Sequence, residues 1–93
     1  MLQDGTYNLN GEVVEFTEGY QVSFEREGQS VEFKEDAKRI LSAIAPLNIG
    51  VWEGVQEFSI NVKGLDLALA IARHYNQDAI WDWSTMSTIH LKG

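Results

Sequence analysis

The chain has 93 residues, of which 14 are acidic and 7 are basic, and its formal net charge is −7. A chain of this length forms one domain with one core, and its 44% hydrophobic content is too high for a disordered chain. The absence of cysteine excludes thiol catalysis, disulfides and cysteine-ligated zinc, and the acidity disfavours direct binding to nucleic acid or to an anionic membrane. We expect a single cytoplasmic domain over residues 1–93.

The acidic residues are concentrated in the first third of the chain. Residues 1–33 contain seven acidic side chains and one basic side chain, which gives this segment a net charge of −6. Polar and apolar residues alternate here, and Asn10-Gly11 is a strong hairpin signal, since a type I′ turn needs two residues with positive φ. The pattern predicts a meander of four strands, over residues 7–9, 13–16, 20–25 and 31–33. On it Glu15, Glu25 and Glu32 share the outer face, while the turns hold Glu12, Glu18 and Glu27.

The rest of the chain predicts two helices and three strands. Apolar residues from Ala37 to Ile44 have the spacing of a helix stripe that packs on a sheet, and Pro46 ends this helix. The predicted elements are a helix over about residues 35–45, a strand over 58–62, a buried helix over about 65–75 and strands over 79–83 and 88–91. The order ββββ-α-β-α-ββ predicts an α+β fold, an antiparallel or mixed sheet with two helices packed on one face.

Trp81 and Trp83 are separated by one residue of a predicted strand, so both point to the same side of the sheet. Pairing Trp83 with Ser87 predicts that Trp81 lies opposite Ile89. The apolar second helix favours burial of both tryptophans beneath it. If they are exposed instead, they form an aromatic hot spot for a protein partner, together with Trp52.

The sequence holds no cluster that is typical of a catalytic or metal site. His74 and His90 lie on different predicted elements and have no third ligand beside them. There is no Gly-x-Ser-x-Gly motif and no phosphate-binding glycine loop. We therefore expect that the protein is not an enzyme and has neither cofactor nor metal, and a small hydrolase is the least favoured alternative.

The stretch Ala72-Arg-His-Tyr-Asn-Gln-Asp-Ala-Ile-Trp-Asp-Trp83 lies in the C-terminal quarter of the chain. It resembles a helix–turn–strand ending of small uncharacterised proteins from phages and mobile elements. The resemblance implies an accessory protein of such an element. It implies no activity and brings no catalytic or binding residues with it.

These features favour a small protein-binding module that presents an acidic face to a basic, nucleic-acid-binding protein, as an inhibitor or DNA mimic would. Carboxylates on a sheet lie about 4.8 Å apart between strands and about 7 Å apart along one, comparable with phosphate spacing. The alternatives are a self-associating accessory protein, such as a homodimer, and an acidic face that serves only solubility. The candidate contact residues are Glu12, Glu15, Glu18, Glu25, Glu27, Glu32, Trp52, Trp81 and Trp83.

Overall fold

The fold is a six-stranded sheet with two helices packed on one face. The computed structural model describes residues 3–91. The strands are β1 (Gly5–Tyr7), β2 (Tyr20–Ser23), β3 (Leu47–Trp52), β4 (Val55–Val62), β5 (Ala79–Asp82) and β6 (Ser87–His90), and the helices are α1 (Val31–Ser42) and α2 (Leu65–His74). Every neighbouring pair is antiparallel, in the spatial order β1-β3-β4-β2-β5-β6. The predicted α+β class is confirmed, with an antiparallel sheet.

Strand pairing at the centre of the sheet separates an apolar face from a polar face. Val22 lies opposite Ile60, and Ser23 lies opposite Ser59. Because side chains alternate along a strand, the first pair faces the helices and the second pair faces away from them. We call this second side the open face. The core on the helix side consists of Val22, Phe24, Ala37, Leu41, Ile60, Val62, Ala68, Ile71, Ala72, Tyr75 and Ile80.

Helix α1 begins at Val31 rather than near residue 35. Ser30 is its N-cap, and the Ser30 Oγ accepts a 3.1 Å hydrogen bond from the N–H of Phe33. This cap satisfies one of the free N–H groups of the first turn, so it favours a helix where alternation alone predicted a strand. The predicted strand over residues 31–33 is therefore wrong. Glu32 is exposed in the first turn of α1 and shares no sheet face with Glu15 or Glu25.

The first third of the chain contains two strands rather than four. Asn10-Gly11 does turn the chain, since Gly11 has a φ of 85° and its N–H donates to the Asn8 carbonyl at 3.0 Å. Beyond this turn, Val13 makes one isolated bridge to Tyr7, in place of the predicted strand over residues 13–16. The chain then has to pass β3 and β4 to reach β2, and we call residues 13–19 the crossing segment.

Strand β3 was not predicted, and it forms a tight hairpin with β4. Glu53 and Gly54 connect the two strands with φ values of 49° and 81°, as a type I′ turn requires. The predicted order has no strand between the first helix and residues 58–62, although the apolar alternation of Leu47, Ile49 and Val51 is present in the sequence. The hairpin places Trp52 beside the turn, where it is 69% exposed.

The two helices match the predicted apolar patterns to different degrees. Ala37 and Leu41 of α1 are buried as predicted, whereas Ile40 is 54% exposed on its flank. Helix α2 ends where predicted, and Asn76 beyond it has a φ of 61°. Neither helix is long and apolar enough to cross a bilayer.

Candidate functional site

A large groove lies on the open face of the sheet, and we call it the open-face groove. Its volume is about 1090 Å³. All six strands contribute to its lining, together with residues 13–16 of the crossing segment. The Phe16 ring lies 5.6 Å from the Trp83 ring, and the Asn61 side chain donates a 3.2 Å hydrogen bond to the Glu18 carbonyl. These two contacts hold the crossing segment against the open face.

Acidic side chains dominate the charge of the groove. Six acidic residues and one basic residue, Arg26, are among its described lining residues, so their formal charges sum to −5. Arg26 forms a 3.3 Å ion pair with Asp78 and donates to the Asn76 carbonyl, which engages this cation at one end of the groove. The remaining acids give the groove a negative potential. The six acidic residues are Asp4, Glu15, Glu25, Glu27, Glu57 and Asp78.

Trp81 and Trp83 both lie on the open face, which confirms that they point the same way. Their predicted burial beneath α2 is wrong, because Trp81 lies opposite Gln21 of β2 and shares the open face with it. The predicted pairing with Ile89 is also wrong by one residue, since Trp81 lies opposite Thr88. The cause is the turn after β5, where Asp82 Oδ1 accepts a 3.0 Å hydrogen bond from the N–H of Ser84 and the pair Asp82–Ser87 closes the hairpin.

The hydrogen bonds of the same turn lower the pKa of the Asp82 carboxyl group. The Ser84 Oγ donates a 2.8 Å hydrogen bond to Asp82 Oδ1. This side-chain hydrogen bond is the largest of the effects that lower the pKa of Asp82 below its ordinary value, because it stabilises the charged carboxylate. The ionised Asp82 therefore helps to hold the turn that presents β6.

The floor of the groove contains a buried polar network centred on Gln21, which is 8% exposed. The Gln21 Nε2 donates to Asn48 Oδ1 at 3.0 Å and to Ser59 Oγ at 2.9 Å. Its Oε1 accepts a 2.9 Å hydrogen bond from Trp83 Nε1. Within residues 3–91 no buried side-chain polar atom lacks a partner, so the floor is fully satisfied before any ligand binds.

The aromatic end of the groove combines one buried tryptophan with one half-buried tryptophan. Trp83 is 7% exposed, held by Phe16 and by Gln21. Trp81 packs against it edge to face, with ring centroids 6.3 Å apart, and stays half-buried on the groove wall. Trp83 is therefore a structural anchor, and Trp81 is the indole that a ligand could contact.

Glu25 and Glu57 line the groove and are held by the sheet itself. Glu25 Oε1 accepts a 2.6 Å hydrogen bond from the N–H of Phe58, and Glu57 Oε2 accepts a 2.7 Å hydrogen bond from Ser23 Oγ. Both residues are half-buried. Each carboxylate uses one oxygen in the fold, which orients the group and leaves its charge facing the groove.

The structure brings together some of the predicted contact residues and separates others. Besides Glu25, the groove is lined by Glu15, Glu27, Trp52, Trp81 and Trp83. Glu12 instead accepts a hydrogen bond from the Asn8 side chain in the first turn, and Glu18 forms an ion pair with Lys63 at 3.3 Å. Glu12, Glu18 and Glu32 are absent from the described lining.

Glu57, Gln21 and Phe16 are groove residues that were not predicted. Glu57 and Ser59 alternate with Phe58 and Ile60 in β4, so the sequence did contain a signal that places Glu57 on the polar face. For Phe16 no such signal exists, because it lies in an irregular segment. Within residues 3–91 there is no group of three or more His, Asp or Glu side chains placed to hold a metal ion.

No known protein family, curated protein or solved structure matches the chain. The resemblance of its C-terminal quarter to phage and mobile-element proteins stays a prediction.

Proposed function

We propose that the protein is a non-enzymatic binding module that holds a basic segment of a partner protein in the open-face groove. The observation that carries this proposal is the combination, in one groove, of a formal charge of −5 with the indoles of Trp52 and Trp81. Carboxylates attract lysine and arginine, and an indole face binds the same cations through its π system. The carboxylates and the indoles of the groove therefore both favour a ligand with lysine or arginine side chains.

The size of the groove supports a peptide rather than a small metabolite. Pockets for small molecules measure about 300–1,000 Å³, and this groove lies above that range at about 1090 Å³. Within the described residues, every buried side-chain polar atom of its floor already has a partner. The floor therefore has no free buried polar group that would select a particular small polar ligand. A chain segment with several basic side chains would use the acids that lie along it.

The shape of the acidic surface refines the predicted DNA mimicry. Glu32 lies on the helix layer, so the acids do not form one flat sheet face. Glu25 and Glu57 line a groove that a protruding basic segment can enter. Basic segments of this kind are common in nucleic-acid-binding proteins, which keeps such a protein as the proposed partner.

The test is a titration with a lysine- and arginine-rich peptide, followed by the fluorescence of the three tryptophans. Removing two charges with Glu25→Gln and Glu57→Gln should weaken binding about tenfold, because each close charge pair contributes up to about 1 kcal/mol. Glutamine keeps an oxygen that can accept the hydrogen bonds from Phe58 and Ser23. The affinity should also fall about tenfold or more between about 50 and about 500 mM NaCl.

The matched control removes the same charge from the helix layer. Glu32→Gln with Asp66→Asn changes two exposed acids in the first turns of α1 and α2. This variant should bind the peptide within about twofold of the unmodified protein, since surface charges beyond a Debye length are screened. Equal losses in both double variants, or binding that ignores salt, would contradict a groove-specific site.

A further inference from the structure

The two edges of the sheet differ in how they are covered. At the β1 edge, Val13 bridges to Tyr7, and the N–H of Val14 donates a 2.8 Å hydrogen bond to the Thr6 carbonyl. The chain itself therefore pairs with the outer side of β1. Strand β6 forms the other edge, and within residues 3–91 no strand lies beyond it.

Hydrogen bonding between β5 and β6 identifies the backbone groups that point outward. The N–H of Leu91 donates a 2.8 Å hydrogen bond to the Asp78 carbonyl, and Ala79 lies opposite His90. Hydrogen-bonded and non-hydrogen-bonded pairs alternate in an antiparallel ladder, so the pairs of His90 and Thr88 are of the non-bonded kind. The N–H and C=O groups of Thr88 and His90 consequently point away from β5, toward the free edge.

Between Asp82 and Lys92 of the sequence, the free edge has none of the usual protection against pairing with another strand. Residues 83–91 contain no Lys, Arg, Asp, Glu or Pro, although the whole chain has 14 acidic and 7 basic residues. Natural edge strands commonly place lysine, proline or a bulge at this position to prevent pairing. Thr88 and His90 are both exposed, and they leave the edge open to another strand.

The apolar residues at this edge are only partly covered. Ile89 and Leu91 are half-buried and pack against the core, as does Leu69 of α2. Apolar side chains therefore accompany the unpaired backbone groups at this end of the molecule.

We propose that a second copy of the chain pairs with this edge, β6 antiparallel to β6 about a two-fold axis. Thr88 of each copy then lies opposite His90 of the other, which satisfies the outward N–H and C=O groups of both residues. Ile89 meets Ile89 at the axis, on the helix side. A second copy suits this edge because the outward groups of Thr88 and His90 are placed symmetrically about Ile89, which makes the strand complementary to itself. Residues 83–91 also hold no acidic side chain that would add to the repulsion between two molecules of charge −7.

The pairing has a consequence for the groove. Antiparallel strands about a two-fold axis keep corresponding faces on the same side, so the two open faces become continuous. Met86 and Thr88 line the open-face groove next to this edge. The dimer would therefore set two acidic grooves side by side, and a partner with two basic segments would gain affinity from both. The dimer itself needs no ligand in either groove.

Sedimentation equilibrium between about 5 and about 500 µM protein tests the dimer through its dependence on concentration. The unmodified chain should associate, and Thr88→Pro should weaken association about twentyfold or more, because proline removes an outward N–H and no ladder bond of β5. Thr88→Val is the matched control, since it removes the hydroxyl and keeps the N–H, and it should dimerise within about threefold of the unmodified chain. His90→Pro offers the same test at the second outward position, should circular dichroism show that Thr88→Pro is unfolded.

Salt separates this proposal from the proposed function. Screening of like charges should strengthen the dimer between about 50 and about 500 mM NaCl, whereas peptide binding in the groove should weaken over the same range. A chain that stays monomeric at every concentration overturns the dimer and leaves the groove proposal intact. Association that both proline variants retain in their folded form also overturns it.

Discussion

The indole N–H of Trp83 donates a 2.9 Å hydrogen bond to the side chain of Gln21, 62 positions earlier in the chain. The Gln21 side chain in turn donates hydrogen bonds to Asn48 of β3 and to Ser59 of β4. The side-chain amide of Gln21 thus links Trp83, at the end of β5, to strands β2, β3 and β4. Because it is buried and fully paired, it holds the floor of the open-face groove in one arrangement.

Replacing Gln21 by leucine should therefore destabilise the fold more than an ordinary polar-to-apolar change. The Trp83 N–H, Asn48 and Ser59 would lose their partner while remaining buried, and each such group costs about 1–3 kcal/mol. We expect a loss of about 3 kcal/mol in the free energy of unfolding, measured by urea titration. Gln56→Leu, at an exposed position of β4, should change it by less than about 0.5 kcal/mol. Similar values for both variants would mean that the network adds little stability.

Gly19 and Gly28 allow the cost of a positive φ to be distinguished from the cost of a steric clash. Gly19 and Gly28 have nearly equal φ values, 89° and 92°, which a residue with a Cβ adopts at a cost of about 1 kcal/mol. A Cβ at Gly19 would lie 2.6 Å from the Asn61 side-chain oxygen, whereas at Gly28 it would meet nothing within 4 Å. Gly19→Ala also displaces Asn61 from its hydrogen bond with the Glu18 carbonyl.

The expected result is a larger loss of stability for Gly19→Ala than for Gly28→Ala, by about 1 kcal/mol or more. Urea unfolding of the two variants beside the unmodified chain measures this difference. Equal losses would show that Asn61 moves away freely and that only the positive φ matters at both positions.

Asp82 links the turn before β6 to pH. Its pKa is lowered chiefly by the hydrogen bond from the Ser84 side chain, so the ionised form is favoured in the folded chain. Such a group contributes stability that is fully present above the ordinary carboxyl pKa, about 3.9, and is lost as the pH falls through the lower folded value. The measurement is an NMR titration of the Asp82 carboxyl carbon. Ser84→Ala should move its midpoint up toward the ordinary value, and an unmoved midpoint would assign the shift to another cause.

The alternation of residues along β2 and β4 predicted the composition of each sheet face. Tyr20, Val22 and Phe24 are apolar and alternate with polar residues, which determines the side toward the core whatever the neighbouring strands are. For Trp81 and Trp83, alternation predicted a common side but not which side it is. That choice depends on the pairing of β5 with β2, which joins residues about 60 positions apart and leaves no local pattern.

The missed parts of the site have equally specific causes. The strand predicted over residues 31–33 became a helix because Ser30 caps it, a signal that competes with a short alternation. Phe16 and Glu15 reach the groove through the crossing segment, whose path depends on the strand order of the finished sheet. The acidic residues of the groove could thus be predicted from the sequence, whereas the concave shape of the groove could not.

Gly50 allows the groove itself to be filled without a change of charge. It lies in β3 opposite Glu57, and a Cβ there would meet its nearest neighbours at 3.7 and 3.9 Å, which is ordinary contact. Gly50→Ala should therefore keep both the fold and the affinity for a basic peptide. Gly50→Leu places a branched side chain on the groove floor and should weaken peptide binding about tenfold, because the peptide and the leucine compete for the same volume. Peptide fluorescence titration gives the affinities, and thermal unfolding by circular dichroism shows that both variants are folded. A folded Gly50→Leu variant that binds as tightly as Gly50→Ala would place the basic segment elsewhere on the surface.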